Sequence, residues 1–143
     1  MNKGLISGLS LGLLLAATAA CTPSTPPTAT SPTDGRSAYS EVALPAADTL
    51  VGDDPQQIAL ATFGMTDPGE GNFAQEVAVV DQSNSQAVVA LTQTGLLDDS
   101  VAGMRYRLEF VTEGSQWRLD WAGRQVKCQP NRGSQDWTTD LCR

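Results

Sequence analysis

The chain contains no histidine in its 143 residues. That removes the side chain most often used as a general base near neutral pH, which is also the commonest metal ligand. A His-dependent serine or cysteine triad is excluded with it. Aromatic residues are few, 6% of the total, which limits the core to a modest size. Bases are scarce until late in the chain. From Cys21 to Met104 there are eleven acids and one base, Arg36, a balance of −10. From Arg105 to Arg143 seven bases meet five acids, a balance of +2, and Lys3 supplies the last +1 of the net −7. An acidic chain of this kind has no general affinity for nucleic acid. No glycine pattern matches a phosphate loop or a dinucleotide fingerprint, so no cofactor is expected.

Long apolar runs are also missing. The longest, Leu5 to Leu15, is broken by Ser and Gly. It is too short for a membrane span, which needs about 20 residues. It follows the charged Lys3 and leads into the small residues Ala16 to Ala20, the pattern of a secretory signal. Thr18-Ala19-Ala20-Cys21 resembles the lipobox of bacterial lipoproteins, with Ala19 and Ala20 on pattern and Thr18 where leucine is usual. The resemblance implies cleavage before Cys21 and a lipid (diacylglycerol and acyl chains, palmitate among them) on that residue. Residues 1–20 are then a signal peptide, and the protein is exported and anchored to a membrane of the cell envelope. Ordinary signal cleavage near Ala20 is the alternative.

Thr22 to Thr33 holds four of the eight prolines and no strongly apolar residue. Such a segment cannot bury enough surface to fold. Extended as polyproline, its twelve residues would reach about 37 Å, enough to hold a domain clear of lipid headgroups. The expected organisation is therefore a linker over 21–49 and one domain over 50–143. Tyr39, Val42 and Leu44, in the last part of the linker, are candidates to pack on the domain.

Within the domain, Asp54-Pro55 is a helix start, with Asp54 as cap and Pro55 at the first helical position. The helix carries Ile58, Leu60, Ala61 and Phe63 and stops at Gly64. Two strands follow, Phe73 to Val80 and Ala87 to Thr94, joined by the polar turn Asp81 to Ser85. In Met104 to Thr112, apolar Met104, Tyr106, Leu108 and Phe110 alternate with Arg105, Arg107 and Glu109, a strand with one buried and one wet face. After the turn Glu113 to Gln116, Trp117, Leu119 and Trp121 repeat the alternation. If Glu113 pairs with Gln116, Phe110 faces Leu119, Leu108 faces Trp121, and Glu109 lies opposite Asp120. Diagonal contacts from Glu109 to Arg118 and from Asp120 to Arg107 would then neutralise a solvated face. The apolar phase slips from odd to even after Trp121, which predicts a β-bulge or bend at Gly123.

Besides Cys21 there are two cysteines, Cys128 and Cys142, and an even pair in an exported chain reads as a disulfide. It would close a loop of about 15 residues, worth about 3 kcal/mol in the chain-entropy account. The loop carries Arg132, Asp136 and Trp137, a constrained recognition surface. The simpler reading, preferred here, is that Trp137 and Leu141 fold back and seal the edge of the core.

The carboxylate doublets Asp53-Asp54 and Asp98-Asp99, and the pair Asp67 and Glu70, are weak candidates for acid–base work or Ca²⁺. Solvated loop acids are the simpler reading of each, and no metal site is expected.

The fold class expected is α+β: one short helix packed on a curved antiparallel sheet of four to five strands, with a disulfide-stapled C-terminal loop. This element order over Asp53 to Gln129 weakly resembles a reduced cystatin-like or NTF2-like fold, which implies a sheet wrapped on a helix and the capacity for a pocket lined by Tyr106, Trp117 or Trp121. Gly95-Leu96-Leu97-Asp98-Asp99, Arg105-Tyr106-Arg107-Leu108-Glu109-Phe110 and Trp121-Ala122-Gly123-Arg124-Gln125 are similar to a set of small uncharacterised cyanobacterial proteins, which implies no activity. The function expected is that of a non-enzymatic envelope lipoprotein that binds a protein partner or a small ligand. The alternatives are an NTF2-like ligand pocket or minor enzyme, and weak Ca²⁺ binding.

Overall fold

A computed structural model describes residues 35–67, 69 and 71–143 of the protein. The expected signal peptide, Cys21, the Pro/Thr stretch and Glu70 lie outside them.

The elements in chain order are β1 (Ser40–Glu41), β2 (Val51–Gly52), α1 (Pro55–Phe63), β3 (Ala74–Gln82), β4 (Gln86–Thr94), β5 (Val101–Glu113) and β6 (Gln116–Cys128). Short 3₁₀ turns occupy Arg36–Ala38 and Ala47–Thr49. The strands form one open antiparallel sheet in the order β1-β6-β5-β4-β3, with β2 also on β6. The sheet has six strands rather than four or five, and the fold is mostly β. The two extra strands are two residues each, too short for any alternation to register in sequence. They belong to residues 36–52, expected as the end of the linker and the start of the domain, which run antiparallel along the outer edge of β6.

Local chemistry sets the helix. Asp54 has extended backbone, and its carboxylate accepts from Gln56 N–H at 2.8 Å. Gly64 N–H closes the last turn on Leu60 O at 2.8 Å. A side chain at Gly64 would come within 2.4 Å of that oxygen. A helix of nine residues needs tertiary support, and α1 takes it by burying Ile58 and Ala59 against the sheet.

On that face Ala87, Val89, Leu91, Leu108, Phe110, Leu119 and Ala122 form a dry core with Leu50, Ile58 and Ala59. Val77, Phe63, Tyr106, Trp117, Val42 and Leu44 border it. Tyr106 stacks on Phe63 with ring centroids 4.8 Å apart.

The β5–β6 hairpin turns at Gly114 (φ 64°), with Glu113 opposite Gln116 and Phe110 opposite Leu119, as expected. The register then slips earlier than Gly123. Glu109 pairs with Trp121, so Asp120 is the extra residue of a bulge, and Leu108 faces Ala122 instead of Trp121. The bulge turns Trp121 to the opposite face of the sheet. Gly123 is required for space: a Cβ there would come within 2.2 Å of the Trp121 ring and 2.7 Å of Tyr39 Cβ.

That opposite face is not the wet surface expected. Arg105 is 4% exposed and Gln125 2%, and Tyr39, Trp121 and Ala90 are buried beside them. The cover comes from both ends of the domain. Residues 35–39 cross the face from one side, and Gln125 Nε2 donates to Ala38 O at 2.7 Å. From the other side Trp137 lies over it, with the Arg105 guanidinium 5.0 Å from the Trp137 ring centroid and 5.9 Å from that of Tyr39. Gln125 Oε1 accepts from Arg105 Nε at 3.1 Å.

Cys128 and Cys142 are joined, as expected, in a disulfide with Cα atoms 5.5 Å apart. The loop is also tied to β6: Val126 and Thr138 exchange backbone hydrogen bonds of 2.8 and 2.9 Å, and Cys128 N–H donates to Ser134 O.

Candidate functional site

Of the loop residues singled out for recognition, Arg132 and Asp136 are exposed and Trp137 is half-buried against Arg105, Gly103 and Lys127. None of the three lines either of the clefts described next. Tyr106, Trp117 and Trp121 do not share a cavity. Tyr106 is stacked on Phe63, Trp117 borders the core, and Trp121 lies on the other face.

Asp53, Asp54, Asp67 and Asp98 of the candidate acids accept hydrogen bonds within the domain, Asp67 from Gly69 N–H at 3.3 Å. Asp53 accepts from Gln116 Nε2 at 2.9 Å, and Asp54 caps α1. Asp98 accepts from Ser100 N–H, Val101 N–H and Ser100 Oγ. These bonds, the one from Ser100 N–H foremost, hold its carboxyl below the usual range. Among the described residues, no group of three or more His, Cys, Asp or Glu could hold a metal ion.

Two clefts remain. The first, about 240 Å³, lies on the face away from α1 between Arg36, Asp81, Gln86, Arg107, Glu109 and Asp120. Arg36, Arg107, Glu109 and Asp120 are engaged in ion pairs there. Glu109 accepts from Arg36 Nε at 2.7 Å and from Arg107 Nε at 2.8 Å. Burial pushes the Glu109 carboxyl up, but the hydrogen bonds from Arg107 and Arg36 outweigh it and leave the group below its ordinary pKa. Asp120, rather than reaching Arg107, lies 3.3 Å from Arg118 and 3.9 Å from Arg36, and Arg118 also meets Glu113 at 2.9 Å.

The second cleft is apolar, about 320 Å³, at the end of the sheet beyond α1. It is lined by Met65, Phe73, Leu96, Leu97, Asp98 and Met104. Leu97 is 72% exposed and Met65 45%, while Leu96 is buried. The walls are held by polar bonds behind them. Buried Gln93 donates from Nε2 to Phe63 O and to Gln75 Oε1, both at 2.9 Å. Gln75 Oε1 in turn accepts from Met65 N–H at 2.9 Å, which seats Met65 at the exit of the helix. The Asp98 turn fixes Leu96 and Leu97, and Gln129 Nε2 ties that turn to β6 through Asp98 O at 3.2 Å. Tyr106 O–H donates to Met104 Sδ at 3.3 Å. Burial raises the Tyr106 pKa, only partly countered by Arg124, so the phenol stays protonated at neutral pH.

The sequence reading did not single out this cleft. Its signals were slight: the only two methionines after Met1 both end there, and Leu96-Leu97 sits in an otherwise polar connection. The geometry suits an apolar ligand group, because thioethers adapt to irregular shapes and the volume lies within the range of small-molecule sites. Among the described residues, no helix is long and apolar enough to cross a membrane. No protein-family model, curated protein or solved structure matches the chain.

Proposed function

We propose that this protein is an exported envelope lipoprotein, anchored through Cys21, that acts by binding and not by catalysis. Its binding site is the cleft between Met65, Leu97 and Met104, and its ligand is a small molecule or partner side chain with an apolar group. The observation that carries this reading is the pair of exposed apolar walls, Met65 and Leu97, held open over a floor of Leu96, Phe73 and Met104. Leaving large apolar side chains in water costs free energy at roughly 25 cal/mol per Å², and a ligand that covers them recovers it. The absence of histidine and the structural engagement of Asp54, Asp98 and Glu109 support binding over acid–base chemistry. The signal-like N-terminus, the Thr18–Cys21 segment and the Pro/Thr linker support the anchor.

Titration of the folded chain with the apolar fluorophore anilinonaphthalene sulfonate tests the site. Saturable binding that weakens at least tenfold in Leu97→Glu, with thermal stability unchanged, is expected. Absence of saturable binding, or equal binding by the variant, would overturn the assignment of the cleft. Mass spectrometry of the mature N-terminus tests the anchor separately: an unmodified Cys21 would end that part of the proposal.

A further inference from the structure

The cleft of about 320 Å³ that holds Met65, Leu97 and Met104 is built from a part of the chain without bases. Ser37 to Met104 contains no lysine and no arginine. The segments that form its walls, residues 64–73 and 95–104, carry four acids: Asp67, Glu70, Asp98 and Asp99. Bases on the adjoining strands serve other places. Lys127, opposite Gly103, lies with Arg105 over the Trp137 ring on the far face of the sheet. Arg124 acts on Tyr106 and lines a separate cavity with Ser40 and Thr138.

Among the described residues, Asp98 is the only charged one in the cleft wall. Its orientation is fixed. Ser100 N–H, Ser100 Oγ and Val101 N–H all donate to one oxygen, Oδ1, at 2.8, 3.1 and 2.7 Å. The other oxygen, Oδ2, takes part in no hydrogen bond or ion pair among the described residues. In the polar cleft, by contrast, Glu109 and Asp120 each meet an arginine. The same three bonds keep the Asp98 carboxyl ionised at neutral pH. The remaining side chains of the apolar cleft, from Met, Phe and Leu, offer no hydrogen-bond donor. A cleft lined by charge of one sign, with apolar walls, concentrates the field at its mouth.

We infer that the cleft selects a small apolar molecule bearing a protonated amine, its apolar part against Leu97, Met65 and Met104 and its ammonium on Asp98 Oδ2. The inference rests on the cleft being the binding site, as proposed above, and adds the charge of the ligand. The volume is that of a small-molecule site. A neutral molecule of the same shape gains the apolar contact alone. An anion meets a carboxylate and finds no side-chain donor. Asp98 is exposed, so water and salt screen the ion pair and the preference is modest, about two- to fivefold.

Calorimetric titration of the full chain with naphthylmethylammonium, naphthylmethanol and naphthoate tests the inference, at neutral pH and low salt. These are a cation, a neutral molecule and an anion with one ring system. Wild type should bind the ammonium about two- to fivefold more tightly than the alcohol, and naphthoate least. Asparagine keeps an oxygen for the three donors at the turn, so Asp98→Asn removes the charge alone. That variant should bind ammonium and alcohol equally, and should bind anilinonaphthalene sulfonate, an anion, more tightly than wild type does. Asp48→Asn makes the same change in net charge at an exposed site before β2, which pairs at the other end of β6. It should keep the wild-type preference. Salt at about 1 M, where the Debye length is about 3 Å, should erase the preference in wild type. Binding of the alcohol with no preference for the ammonium, or a preference that survives in Asp98→Asn, would overturn this inference and leave the cleft standing. Binding of none of the three would overturn the cleft itself, and the inference with it.

Discussion

Arg36 Nε donates to Glu109 Oε2 at 2.7 Å across 73 residues of chain, and the same guanidinium lies 4.9 Å from the ring centroid of Trp121. The contact fastens the first described residues of the domain to the middle of its longest hairpin. Glu109 is shared between Arg36 and Arg107, so its charge is the common anchor. Its carboxyl is depressed below the ordinary value, so the stability it contributes is present above a pH of about 4.3 and is lost as pH falls through the folded-state pKa. In urea melts between pH 6 and pH 3 the wild type should lose stability more steeply than Glu109→Gln. Arg36→Ala should cost about 1 kcal/mol, since the pair is half exposed, and should raise amide exchange at residues 36–39.

Gly123 separates the Trp121 ring from the backbone of β6 and leaves room for Tyr39. Gly123→Ala should cost about 1–3 kcal/mol through overpacking. The displaced part is the 35–39 segment, so proteolysis there should quicken while the β3–β5 amides keep their protection.

Reduction of Cys128–Cys142, or Cys142→Ser, should lower stability by about 3 kcal/mol from loop entropy. The hydrogen bonds of Thr138 and Ser134 stay available to the reduced chain, so the loop should loosen without unfolding the sheet. Trp137 fluorescence, read in a Trp117→Phe and Trp121→Phe background, should shift to the red as the ring leaves Arg105.

Phe110 and Leu97 make a contrasting pair. Phe110 is 1% exposed at the centre of the core, and Phe110→Ala should cost about 3–5 kcal/mol in chemical denaturation. Leu97 stands 72% exposed on the cleft wall. Leu97→Ala should stay within about 0.5 kcal/mol of wild type and still weaken binding of the apolar fluorophore.

The parts that could be read from sequence were those governed by local rules. The Asp54-Pro55 start, the Gly64 stop, the turn at Gly114 and the alternation from Met104 to Phe110 each follow from one or two residues and their immediate neighbours. The Cys128–Cys142 pair followed from counting. What escaped depended on distant chain. Arg105 and Gln125 look like wet-face residues until Tyr39 and Trp137 arrive from opposite ends of the domain to cover them. β1 and β2 exist because β6 has an edge to fill, and two residues carry no period of their own. The change of apolar phase after Trp121 points to a bulge at Gly123. Its position, Asp120, is set by the pairing of Trp121 with Glu109. The apolar cleft is assembled from the exit of α1, the approach to β3, the connection between β4 and β5 and the start of β5, four places that no spacing rule links.

The closure of β6 by residues 38–52 has a mechanical consequence. Among the described residues, a pull at Gly35 meets the contacts of Arg36 with Glu109 and Trp121, the Gln125–Ala38 bond and the buried Tyr39 ring. Only after these yield does the load reach the pairing of β1 with β6. The Cys128–Cys142 loop covers the last stretch of that same strand. Tension applied at that end is thus met by side-chain fastenings as well as by strand pairing.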